Sequence, residues 1–167
     1  MRLWIALLSA TALCVASLNA APPGSKHQRE FEKLKSLEGA WQGPGPDGKP
    51  VHISYKVVSA GSAVMETIDH GDMPGMMVTM YHLDGDRLMM THYCSAGNQP
   101  RMRLASSTPT TMTFTMFDAT NLASKNDAHM RKLVISWTDE NHITADWTMS
   151  KDGKDAHHGV FTLERKS

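Results

Sequence analysis

From residue 39 to residue 165 the chain is a succession of strand-length runs in which apolar and polar residues alternate, and this pattern constrains the fold more than any other feature. In 51–58, Val51, Ile53, Tyr55 and Val57 alternate with His52, Ser54 and Lys56, the period of a strand with one buried face. Comparable runs fall at 39–42, 63–68, 76–83, 87–94, 101–105, 111–117, 130–137, 142–149 and 157–165. Asp84-Gly85 and Asp152-Gly153 stand between successive runs, where tight hairpins favour such pairs, and Asp and Asn mark the turn at 138–141. Residues 118–128 read as a loop or a helical turn. Helical spacing shows only at 27–37, where Phe31, Leu34 and Leu37 recur among Lys and Glu. Parallel crossover units are therefore not expected. The expected fold is all-β: about ten antiparallel strands in up-and-down order, closed into a barrel without exposed edges, with a short helix placed to plug one end.

Two residues are placed to join the ends of such a sheet. Trp41 opens the first strand and Arg165 closes the last. A guanidinium lying over an indole face contributes about 0.5 to 2 kcal/mol, depending on burial.

Ahead of the barrel, residues 1–20 have the form of a secretory signal: Arg2, an apolar stretch at 3–15, then small residues around Ala20. That stretch is short for a membrane span. Leu13, where a small residue would precede a lipid-bearing cysteine, argues against lipid attachment at Cys14. The reading is a signal peptide at 1–20, an arm and short helix at 21–36 and a single barrel domain at 37–167, periplasmic or secreted. Without the signal, 16 Lys and Arg face 17 Asp and Glu, which gives no electrostatic case for nucleic acid or an anionic membrane. Cys94 would then be the one cysteine left, so no internal disulfide is expected. Past residue 20, twelve Met against four Phe and three Tyr make thioethers a large part of the apolar filling.

The pattern Leu37-x-Gly39-x-Trp41-x-Gly43-x-Gly45, the run Gly61-Ser62-Ala63-Val64-Met65-Glu66 and the closing Leu163-x-Arg165 resemble bacterial lipocalin-like domains of unknown function in the calycin superfamily. The resemblance implies a calycin-like barrel holding a small apolar or amphipathic ligand. A second similarity is to nitrobindin, through the same glycine-rich opening and a histidine, His158, seven residues before Arg165. It implies haem held by His158. Pro46-Asp47-Gly48-Lys49-Pro50 departs from nitrobindin's pattern after the opening glycines.

The hairpin around Gly85 carries the densest set of chemically versatile residues. Its register puts Met77, Thr79, Tyr81, Leu83, Leu88, Met90, His92 and Cys94 on one face and Met76, Val78, Met80, His82, Met89, Thr91 and Tyr93 on the other. We expect the first face inside. Its Tyr81, His92 and Cys94 are the few polar groups of an otherwise apolar pocket, with Met77 and Met90 as adaptable walls and Gln99 at the mouth or capping its turn. The same face also fits plain core packing. His70-Gly71-Asp72-Met73-Pro74-Gly75-Met76-Met77 offers imidazole and thioethers to Cu(I), the copper alternative. Zinc spacings such as His-x-x-x-His or Cys-x-x-Cys do not occur. His92 and Cys94 lie about 7 Å apart along one strand face, and no nucleophile elbow or phosphate-binding glycine loop supports catalysis. The expected function is binding of a small molecule, with no enzymatic activity. Glu66, if it faces inward, requires a partner such as Arg101 or Arg103.

Overall fold

The computed structural model describes residues 27–71 and 75–166. The expected secretory signal at 1–20 and Met73 lie outside these residues. Ten antiparallel strands form one closed barrel: β1 (Gly39–Pro44), β2 (Pro50–Val58), β3 (Ala63–Asp69), β4 (Met77–Asp84), β5 (Arg87–Tyr93), β6 (Gln99–Ser107), β7 (Thr111–Thr120), β8 (His129–Trp137), β9 (His142–Lys151) and β10 (Lys154–Arg165). Each strand pairs with its sequence neighbours, and β10 returns to β1. The architecture is compatible with a calycin-like fold. A short helix α1 (Gln28–Lys35) precedes β1. Among the described residues no helix is long and apolar enough to cross a membrane. Residues 118–120 continue β7, and no helix forms in the loop that follows.

Turn chemistry sets the hairpins. Between β9 and β10 the two-residue loop Asp152-Gly153 has φ of 53° and 72°, the doubly positive geometry that matches the twist of the flanking strands.

Closure rests on β1 and β10, where Trp41 is opposite Arg165 and Gln42 opposite Glu164. The Arg165 guanidinium lies 4.3 Å from the Trp41 ring centroid. It also donates to the carbonyls of Glu38 and Ser36 at 2.8 and 2.9 Å, while Trp41 Nε1 donates to Leu37 O at 2.8 Å. One side chain thus ties the last strand to the first and to the end of α1. The opening glycines have a steric cause. A Cβ on Gly43 would stand 1.9 Å from the Thr162 carbonyl oxygen, so only glycine lets the two backbones approach this closely.

Helix α1 covers one end of the barrel. Its apolar face, Phe31 and Leu34, is buried with Leu37 against the core. Lys33 donates to Pro109 O and lies 4.1 Å from the Trp137 ring centroid, and Ser107 Oγ donates to Glu30 at 2.8 Å. These contacts strap the helix to the β6–β7 turn. The half of the barrel beneath it is packed with Trp41, Tyr55, Tyr81, Phe114, Met90, Met102 and Met112, all essentially inaccessible to solvent.

Candidate functional site

At the end away from α1 the packing opens into a cavity of about 350 Å³, within the range of small-molecule sites. Its walls come from around the barrel: Met77 at the start of β4, Cys94 after β5, Met130 on β8, Trp147 and Met149 on β9, Phe161 on β10. Pro46 and Asp47 of the β1–β2 loop, His70, and His157 and Gly159 of β10 complete the rim. Two bulges shape this mouth, between Met130 and Lys132 on β8 and between Asp155 and His157 on β10. Each inserts a residue and re-aims the strand. As a result Met149 has Met130 opposite it on one side and His157 on the other, and all three side chains meet the cavity.

His70 is held deliberately. Its Nε2 stands 3.1 Å from Asp47 Oδ1, and its ring meets Phe161 edge-on at 6.2 Å. A Cβ on Gly45 would lie 2.6 Å from that same nitrogen, so the glycine makes room for the ring. Nδ1 of His70 is buried and has no hydrogen-bond partner.

One layer below the cavity lies a buried polar network. Glu66 accepts a hydrogen bond from Tyr55 Oη at 2.7 Å and another from Tyr81 Oη at 3.1 Å. On the neighbouring strand pair, Thr79 Oγ1 is 2.9 Å from His92 Nδ1. Burial pushes the Glu66 carboxyl above the usual range, partly offset by the hydroxyls around it. Burial, reinforced by the Glu66 charge, holds both tyrosine hydroxyls well above their ordinary values, so they remain donors. His92 is 1% exposed, and burial depresses its pKa to about 4, leaving the imidazole neutral. Its ring packs on Trp147 at 4.5 Å, and its Nε2 is buried without a partner.

The inward face of the central hairpin is the expected one: Met77, Thr79, Tyr81, Leu88, Met90 and His92 are buried, while Tyr93 on the other face is half exposed. The six residues expected to contact a ligand separate into three groups. Met77 and Cys94 line the cavity. His92 lies directly below it, against Trp147. Tyr81 and Met90 do not line it, because they belong to the packed half, where Tyr81 is occupied by Glu66 and by the Phe114 ring at 5.7 Å. Gln99 also lies apart from it. Its amide donates to Gly97 O and accepts from Thr120 Oγ1 at 2.8 Å, so it fastens a turn.

Three further expectations change. Glu66 is inside, yet its partners are two tyrosines; Arg101 pairs outside with Asp118, and Arg103 lies over the exposed Phe117. His158 cannot serve a guest in the lumen. Gly159, Phe161 and Leu163 face inward, so His158 points outward, half exposed, 3.5 Å from Asp146 Oδ1. The copper segment divides as well, because Met76 is 61% exposed while Met77 faces the cavity. Among the described residues no group of three or more His, Cys, Asp or Glu side chains is placed to hold a metal ion.

Asp47, His70, Met130, Trp147, Met149, His157 and Phe161 were not singled out by sequence as lining residues. A scan against protein-family models and a search of curated proteins return no match.

Proposed function

We propose that this protein is an exported carrier or receptor that binds one small apolar or amphipathic molecule in the mouth of a lipocalin-like barrel, without chemical turnover. The observation that carries the reading is the asymmetry of the lumen. One half is sealed by α1 and filled with large side chains, whereas the other keeps about 350 Å³ walled by Met77, Met130, Trp147, Met149 and Phe161. A chain that fills half its barrel with Trp, Tyr, Phe and Met could have filled the rest. Thioether walls adapt to irregular shapes, and an indole and a phenyl ring supply large apolar contact.

A fluorescent apolar amine, N-phenyl-1-naphthylamine, tests this. Saturable binding at one site per chain is expected, weakened at least ten-fold by Met149→Arg, which puts a charge into the wall without touching the packed half. Absence of saturable binding, or equal affinity in the variant, refutes the reading. Export is tested separately by the mass of the mature chain, which should begin near Ala21.

A second reading is favoured by one feature of the same wall. Four sulfur-bearing residues, Met77, Cys94, Met130 and Met149, line the cavity, a composition suited to a soft cation such as Cu(I). Anaerobic Cu(I) competition separates the two: displacement of the naphthylamine by Cu(I), lost when Met130 and Met149 are both replaced by Leu, supports the metal.

A further inference from the structure

Two β-bulges fall at one level of the barrel, on either side of a single methionine, and an apolar guest calls for neither. The extra residue is Arg131 on β8 and Ala156 on β10. Counted from the hairpin turns at 138–141 and 152–153, unbroken register would set Arg131 and Ala156 opposite Met149. The bulges set Met130 and His157 there instead, and Met130, Met149 and His157 all line the cavity.

The three therefore form one row across β8, β9 and β10, on the inner face. Directly opposite residues of an antiparallel sheet have Cβ atoms about 4.5 to 5.5 Å apart, so Met149 is flanked at close range by a thioether and an imidazole. Met130 and His157 stand two strand spacings apart, about 10 Å, and the concave inner surface of the barrel inclines both toward the middle of the row. Methionine, unbranched and flexible, adapts its sulfur position readily. His157 is available to a ligand. Among the described residues its ring has no hydrogen-bond or ion-pair partner. Its Nε2 lies 3.9 Å from the place a Cβ would take on Gly159, so the ring folds along the lumen over that glycine. The side chain is exposed at the mouth, which gives an ion a way in.

The donor types select the ion. Among the described residues no three His, Cys, Asp or Glu side chains converge on a metal, so a site in this row draws on two thioethers and one imidazole. These donors are neutral and bring no charge to balance a divalent cation beside the apolar Trp147 and Phe161. Thioethers also prefer Cu(I) to harder metals.

We propose that Met130, Met149 and His157 form a three-coordinate Cu(I) site at the mouth of the cavity, with both methionine Sδ atoms and one His157 ring nitrogen as ligands. The inference rests on the soft-cation reading above and adds its ligand set. Met77 and Cys94 are then walls, because β4 and the end of β5 lie across the barrel from the row.

Cu(I) delivered anaerobically to the purified protein in competition with bicinchoninate tests it. One ion per chain is expected. Affinity should fall at least about ten-fold in His157→Ala and further in Met130→Leu/Met149→Leu, since even partners one shell beyond the ligands contribute that much; Cys94→Ser should leave it unchanged. X-ray absorption of the wild-type Cu(I) form, which needs no variant to fold, should resolve two sulfur neighbours and one nitrogen. Undiminished affinity in His157→Ala, a loss in Cys94→Ser as large as in the double variant, or coordination by sulfur alone overturns the proposal while the soft-cation reading stands. If Cu(I) does not bind, both fall, and naphthylamine binding remains the separate measure of the apolar reading.

Discussion

The buried histidine makes the stability of the barrel fall in mild acid by an amount that can be worked out beforehand. In the unfolded chain His92 titrates near 6.5, while in the fold burial lowers its pKa to about 4. Between these values the unfolded chain holds a proton that the native state refuses, so stability rises with pH there and is lost as pH falls from 6.5 toward 4. At about 1.36 kcal/mol per pH unit the full effect approaches about 3 kcal/mol. Glu66 acts in the opposite sense. Its raised native pKa makes the fold bind a proton more readily than the unfolded chain, which contributes stability below its unfolded value and loses it as pH rises through the native one. The two must therefore be separated by difference. Urea unfolding, followed by tryptophan fluorescence from pH 7.5 to 4, is to be compared for the wild type and His92→Leu. Relative to the variant, the wild type should lose about 2 to 3 kcal/mol across this range. A gap that stays constant within about 0.5 kcal/mol refutes the claim that His92 is buried uncharged.

Other outcomes follow from closure and from the buried network. Trp41→Ala removes an inaccessible indole together with the surface on which Arg165 lies, and should cost about 3 to 5 kcal/mol in chemical denaturation; an unchanged midpoint would mean that the barrel is not closed there. Glu66→Gln keeps the shape but replaces an acceptor oxygen with an amide donor facing a tyrosine hydroxyl, so a loss of about 1 to 3 kcal/mol is expected, and a stabilised variant would contradict the assigned hydrogen bonds. Gly43→Ala places a methyl 1.9 Å from the Thr162 carbonyl oxygen, so it should open the β1–β10 seam and expose the amides of Gln42 and Lys166 to faster hydrogen exchange; Gly48→Ala, with open space around its Cβ, should leave that seam protected.

The barrel was legible in the sequence because alternation, turn residues and closure all state the same thing. Val51, Ile53 and Tyr55 point inward as their spacing requires, and Arg165 meets Trp41 across the seam. Register sorted the central hairpin into two faces, since a two-residue loop leaves little choice, whereas the inward one was chosen for its few polar groups and not by register. Depth along the barrel did not follow. Met77 and Met90 share a face, yet one walls a cavity and the other fills a core, and nothing in strand periodicity distinguishes the two ends of a strand. The bulges at Arg131 and Ala156 were equally silent, because an extra residue in one strand has no compositional mark here. His70 lies just past the end of β3, outside any alternation. Its one signal was Gly45, whose missing side chain makes sense only when a bulky neighbour occupies the space. Glu66 was read correctly as a residue in need of partners, but tyrosines two strands apart in sequence become adjacent donors only once β2, β3 and β4 are aligned.

The seam between β1 and β10 has a consequence for how the protein is made. The strand that completes the ring is the tenth to leave the ribosome, and the residue that fastens it, Arg165, reaches back to carbonyls 127 and 129 positions earlier. Until that segment emerges, β1 has only one of its two neighbours and the indole of Trp41 lacks its cation. A nascent chain in this condition is slow to lock, since contacts so distant in sequence form late. Under the export proposed above, delayed locking would be an advantage: translocation would end before the hoop can shut.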